Sequence, residues 1–273
     1  MLGRALGRRA PLAGVSCVRL ARSRADLRHL LGLRAAIERV APDLVVNAAA
    51  RTDVDRAESD VDGAFAVNRD GAAGLARVCA AAGIPLVHLS TDYVFAGDLG
   101  RPLREDDRTR PNGIYGASKL AGEIAVREQH PAATIVRTAW LYDHAGPGFL
   151  RTMLRLAQAL QHPQVVDQPR GPHTQLHDLA DGLLALACRR LTPGVADAGL
   201  YHLAGAAGVS RFEWIAAALV ELERTTGRAV TVEPVPSSAF PTPARRPADS
   251  TLDCARIARD HGLRQIGRAS CRE

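Results

Sequence analysis

Along the first half of the chain the apolar positions switch between two periods. Short continuous apolar runs predict buried strands over 15–20, 43–50, 85–90 and 134–137. Between them, apolar residues recur at three- and four-residue spacing and predict helices over 26–40, 60–82 and 118–128. Gly83 directly follows the second of these and is a helix stop signal. Continuous apolar strands alternating with helices predict an α/β fold, a parallel sheet covered on both faces. After Tyr142 the pattern loosens. Helices are predicted over 149–160, 176–191 and 211–224, strands over 164–167, 200–203 and 230–235, and a Pro-rich loop over 234–247. This describes a smaller α/β region beside the first sheet, with a cleft between the two as the expected ligand site.

Composition narrows the class. The 273 residues suffice for one large domain or two modest ones, and 47% hydrophobic with 23% charged residues excludes a disordered, collagen-like or coiled-coil chain. No apolar run approaches the ~18 residues of a membrane span, and the start carries no signal-peptide pattern. A cytoplasmic protein without a membrane partner is expected. Five scattered cysteines (17, 79, 188, 254 and 271), with no CxxC, predict reduced thiols and no metal site. The net charge of +6 is spread along the chain without a recognition module, so no nucleic-acid partner is expected. Nothing in the composition speaks to an oligomer. One bias does change the picture. Of 35 basic residues, Lys119 is the single lysine. A chain that uses arginine wherever positive charge suffices kept a compact ammonium at one position, which asks for a chemical reason.

Tyr115-Gly116-Ala117-Ser118-Lys119 is a YxxxK. On a helix, positions i and i+4 share a face, which puts a phenol beside that ammonium. A fixed cation favours phenolate, so the pair is expected to lower the phenol's pKa from ~10 and form a proton donor to a carbonyl. Ser90-Thr91-Asp92-Tyr93 follows an apolar strand, and strand ends of a parallel sheet face the ligand crevice. Thr91 would offer a hydroxyl there; the alternative is that these residues merely cap a turn.

The motifs in their order along the chain resemble the extended short-chain dehydrogenase/reductases and, within them, are similar to the dTDP-4-dehydrorhamnose reductase family. The resemblance rests on Leu2-Gly3-Arg4, the VVNAAA run at 45–50, Asp55-Arg56-Ala57-Glu58, Ala66-Val67-Asn68, STDYVFAG at 90–97, YGASKLAGE at 115–123, Arg137-Thr138-Ala139-Trp140, Tyr201-His202-Leu203-Ala204-Gly205 and PTPARRP at 241–247. It implies a doubly wound parallel Rossmann sheet with a smaller α/β substrate-binding region, and NADPH or NADH as cofactor. The implied reaction is reduction of the C4 ketone of dTDP-4-dehydro-L-rhamnose to dTDP-L-rhamnose, with a small nucleotide sugar as partner. By resemblance Tyr115 is the general acid, Lys119 holds the nicotinamide ribose and Thr91 polarises the ketone. Cofactor contacts fall to Gly3, Asp26, Leu27, Asn47, Ala48, Ala49, Ser90, Tyr115 and Lys119, and substrate contacts to Thr91, Asp92, Tyr93 and Trp140. Arg22 and Arg24 after the strand at 15–20 favour NADPH, while Asp26 argues for NADH.

The expected organisation is a dinucleotide-binding domain over 1–145 and a mainly substrate-binding region over 146–265, with some elements returning to the sheet. Gly3 matches the last glycine of the dinucleotide fingerprint, so the first strand is expected to be missing and the domain incomplete at its start. Residues 266–273 read as a translated sequencing adapter and are expected to be a non-native tail. Asp143-His144 and Arg170-Gly171-Pro172-His173 depart from the family pattern, which leaves the sugar less certain than the reaction type. Two other readings stay open: an extended-family epimerase or dehydratase, for which Asp92 beside Thr91 speaks, and a non-catalytic dinucleotide-binding regulatory subunit, such as that of methionine adenosyltransferase.

Overall fold

A computed structural model describes residues 1–263 apart from 145, 147, 160–162, 193–197, 207 and 228. Residues 264–273, and with them the expected tail and Cys271, lie outside the described residues. Ten helices carry labels here: α1 (Leu2–Arg9), α2 (Leu30–Val40), α3 (Val54–Ser59), α4 (Val61–Phe65), α5 (Ala72–Ala81), α6 (Ile114–Gln129), α7 (Phe149–Ala159), α8 (Leu176–Arg190), α9 (Arg211–Thr226) and α10 (Ala255–His261). The strands are β1 (Val45–Asn47), β2 (Leu86–Thr91), β3 (Thr134–Thr138), β4 (Leu141–Tyr142), β5 (Gln164–Val166), β6 (Arg170–Pro172), β7 (Thr174–Gln175), β8 (Gly199–His202), β9 (Gly208–Ser210) and β10 (Glu233–Val235).

The main sheet runs β1-β2-β3-β8, all parallel, with Val46 opposite Val87, Leu89 opposite Val136 and Val136 opposite Tyr201. Side chains alternate across a strand, and here they feed two cores. Val87, Leu89, Val136 and Tyr201 point into the layer formed by Leu2 and Leu6 of α1, Leu179 and Leu183 of α8 and Ile257 of α10. Leu86, Ile135 and Leu200 point into the layer of Leu33 and Ile37 of α2, Leu75 of α5 and Val126 of α6. Both faces are thus covered, as continuous apolar strands require. A third cluster, with Met153 of α7, Val165 of β5 and Ile215 and Leu219 of α9, forms beside the sheet. The pairs β5–β10, β4–β7 and β6–β9 belong to that side.

Four expected elements come out differently. Among the described residues, 15–20 pairs with no strand, and β1 has β2 as its one neighbour. A strand exists only as part of a ladder, so a strand-like run without a neighbour forms no strand. The helix expected from residue 26 starts at Leu30, because Asp26 Oδ1 accepts the Arg28 N–H at 3.0 Å and holds a turn there. The helix expected over 60–82 is broken by a π-helical turn, Ala66–Gly71. Its Asn68 is buried, donating to Arg51 O and Ser118 Oγ, both at 3.0 Å, and accepting from Arg51 N at 2.8 Å. The wide turn turns that side chain inward. The helix expected from Ser118 begins four residues earlier, at Ile114, whose N–H donates to Glu58 Oε1 at 2.8 Å. The extension matters, since Tyr115 and Lys119 now share one helix.

Candidate active site

The C-terminal end of β2 and the first turns of α6 meet where a parallel sheet places its ligands. Thr91 closes β2, and Tyr115 and Lys119 lie one turn apart on α6. All three are buried. Two glycines of the YGASKLAG run allow this approach. A Cβ on Gly116 would stand 2.1 Å from the Tyr93 carbonyl oxygen, and one on Gly122 would stand 2.1 Å from that of Asn68. The helix therefore packs directly on backbone.

Lys119 Nζ donates to Leu89 O at 2.6 Å. Burial draws its pKa down to about 8, against a smaller upward pull from Glu123. The phenol of Tyr115 is pushed up, first by burial and then by the charge of Asp92, while the Thr91 hydroxyl pulls it down. So the ammonium is held on a strand carbonyl, and the phenol stays protonated at neutral pH. The expected lowering of the phenol by its lysine is not among the influences on it in this structure, where burial raises it and Thr91 is the group that pulls it down. Thr91 Oγ1 donates to Asp92 Oδ1 at 2.9 Å and accepts from Tyr93 N at 3.3 Å. Asp92 is 1% exposed, and its Oδ2 makes no hydrogen bond of ordinary geometry. Burial pushes its carboxyl up to about 6, with Ser250, Thr91 and Trp140 pulling the other way.

On the cofactor side, Asn47 is buried at the end of β1. Its Nδ2 lies 3.0 Å from His88 Nδ1, and its Oδ1 accepts Ala49 N at 3.1 Å. Ala48 is half-buried and Ala49 exposed, so the loop presents small side chains to open space. Ser90 Oγ is buried without a partner. An unpartnered hydroxyl, a buried ammonium and a small-residue loop at adjoining strand ends fit a dinucleotide's ribose and nicotinamide. The other three expected cofactor residues make contacts of their own. Gly3 is in α1, which packs on α8. Asp26 is bound by Arg28 and Arg22, which hold its carboxyl far below the usual range. Leu27 is a core residue beneath Gly71.

Trp140 stands in the left-handed region at φ 47°, and its Nε1 donates to Ser250 Oγ at 3.2 Å. Its ring meets His173 edge-on, and His173 in turn lies 4.1 Å from Trp214. Tyr93 faces the Tyr115 ring edge-on at 5.4 Å. Several participants had no role assigned from sequence. Arg246, in the PTPARRP run, donates to Tyr93 Oη at 3.0 Å and to Asp55 Oδ2 at 2.9 Å. Arg211 lies over Trp140 and Phe149 at 5.2 and 4.8 Å and makes no ion pair among the described residues. Its guanidinium is pulled down by burial and by Arg246. Both arginines line a cavity of about 620 Å³, together with Phe149, Val166, Ser237 and Thr242. The motif run around Arg246 was visible in sequence; the pairing with Arg211 was not, because it depends on how α9 docks. Among the described residues, no cluster suited to a metal occurs.

The family model described as RmlD substrate binding domain matches residues 1–266. The dTDP-4-dehydrorhamnose reductase of Sinorhizobium fredii is 41% identical over 92% of this chain and 85% of its own length. That of Streptomyces griseus is 42% identical over 94% and 83%. The crystal structure of dTDP-4-dehydrorhamnose reductase from Bacillus anthracis in complex with NADP superposes with a TM-score of 0.86 at 30% identity, covering 97% of this chain and 91% of that one.

Proposed function

The chain belongs to the RmlD substrate binding domain family, and from that premise we infer its reaction: NAD(P)H-dependent reduction of the C4 ketone of dTDP-4-dehydro-L-rhamnose to dTDP-L-rhamnose. The observation that carries the reading is the convergence of Thr91, Tyr115 and Lys119 at the mouth of the sheet, beside a cavity bearing two arginines. A dinucleotide supplies the hydride when bound; the chain's own residues do the rest. Lys119 and Ser90 offer a donor and a free hydroxyl to the ribose, and Asn47 and Ala49 line its approach. Tyr115, kept neutral by burial, holds the proton that the developing C4 alkoxide takes up. Thr91 shares that oxygen. Trp140 walls the sugar, and Arg211 with Arg246 faces the diphosphate, where paired guanidiniums suit phosphate oxygens. Burial excludes water from the reacting carbon and strengthens each of these contacts.

The test is steady oxidation of NADPH on addition of the dTDP-keto-sugar, with the product identified by mass and stereochemistry. A product lacking water, or epimerised without net NADPH oxidation, would move the chain to the dehydratases or epimerases. Binding of dinucleotide with no turnover would make it a non-catalytic subunit.

A further inference from the structure

We propose that Asp92 is a positioning residue that sets which way the single hydroxyl proton of Thr91 points. The inference rests on the reductase reading above and concerns the same site. A ketone oxygen only accepts hydrogen bonds, so Thr91 helps it only by donating. In this structure that one proton goes to Asp92 Oδ1 at 2.9 Å, while the Thr91 oxygen takes the Tyr93 N–H. In that state Thr91 turns lone pairs toward the ketone, and Tyr115 is left as the one hydroxyl donor to it.

Protonation of Asp92 reverses the bond without moving an atom far. The carboxylic O–H then donates to Thr91 Oγ1, and the threonine proton is free to point at the ketone. Two features favour this form. Asp92 is 1% exposed, and its Oδ2 makes no hydrogen bond of ordinary geometry to the Ser250 and Trp140 groups that face it. An unpaired oxygen is far less costly on a neutral acid than on a buried carboxylate. The same burial raises the carboxyl to about 6. The groups facing it are the phenols of Tyr93 and Tyr115, both of which feel its charge, the Trp140 indole and the Ser250 hydroxyl. Of the cations around the site, Arg246 is committed to Tyr93 and Asp55 and Lys119 to Leu89 O, while Arg211 lies over the Trp140 and Phe149 rings; none makes an ion pair with Asp92 among the described residues. Substrate filling the site removes more water and pushes the carboxyl further toward the neutral form.

The test uses the whole chain with Asp92→Asn and Thr91→Val. Asn mimics the neutral acid, since its amide donates to Thr91 Oγ1 at every pH. In the unaltered chain, kcat falls about tenfold per pH unit above the Asp92 pKa, down to a floor roughly 100-fold lower, the effect of losing one donor to the reacting oxygen. Asp92→Asn is flat across that limb, and Thr91→Val sits at the floor with no limb. A limb that survives in Asp92→Asn or in Thr91→Val overturns the proposal. Infrared difference spectra read the carboxyl without any turnover. The acid band assigned by its loss in Asp92→Asn titrates in the unaltered chain, and its midpoint rises in Thr91→Val, because the donor that stabilised the carboxylate is gone. A midpoint that stays put refutes the coupling. Absence of turnover at every pH together with a midpoint that moves would instead count against the reductase reading alone.

Discussion

Replacing Lys119 with Met removes the one buried ammonium, and the structure says what that does to stability. Its pKa is about 8 in the folded chain against 10.5 for a free lysine, with burial the first cause. Folding therefore disfavours the charged form. Between pH 8 and 10.5 the unfolded chain holds a proton that the folded chain has released, so this group's contribution to stability rises with pH. At ~1.4 kcal/mol per pH unit the gap amounts to about 3 kcal/mol. At ~2–4 °C per kcal/mol that is roughly 6–12 °C of melting temperature. The absolute curve hides it, because the Cys79 and Cys254 thiols are pushed up to about 11 and about 12 by burial and withdraw stability above pH 9. The quantity to measure is the difference between the unaltered chain and Lys119→Met, in which the thiols cancel. Urea unfolding at pH 7, 8, 9 and 10 should show the Met variant ahead at pH 7, with its lead shrinking by most of 3 kcal/mol by pH 10, while its turnover is lost. A difference constant to within about 1 kcal/mol across that range would refute the assignment of a desolvated ammonium to Lys119.

Tyr115→Phe removes only a hydroxyl and should keep the fold while lowering kcat at least ~100-fold, measured by NADPH oxidation. Glu123→Gln breaks a buried two-point pair, with Glu123 oxygens 2.8 and 2.7 Å from Arg137 Nε and Nη2 and both side chains under 5% exposed, and should cost ~3–5 kcal/mol in urea unfolding. Asp26 is already engaged by Arg22 and Arg28, so NADPH is the expected preferred cofactor and Asp26→Ala should leave kcat/KM for NADPH within about twofold; a kcat/KM for NADH equal to that for NADPH in the unaltered chain would reverse the preference.

What sequence determined by itself were the features carried by local period and residue type. Apolar runs marked β2 and β3, because a strand covered on both faces carries apolar side chains toward each, even though His88 and Arg137 are buried among them. The four-residue spacing of Tyr115 and Lys119 marked a pair that a helix would bring to one face, although the expected helix began only at Ser118, and the solitary lysine singled out its own position. Tertiary structure decided everything that needed a neighbour. Residues 15–20 have a strand's pattern but no ladder among the described residues, since strand pairing is a property of two segments. The π-helical turn at Asn68 exists because Arg51 and Ser118 wait for that amide. Lys119 donates to a carbonyl of β2, and Asp92 accepts a hydrogen bond from Thr91, because folding removes the water that would otherwise serve both. Arg211 and Arg246, remote in sequence, share one cavity wall, a proximity that no local pattern encodes. Desolvation is the common cause: it acts on groups according to what surrounds them in space, and that is settled only when the chain has packed.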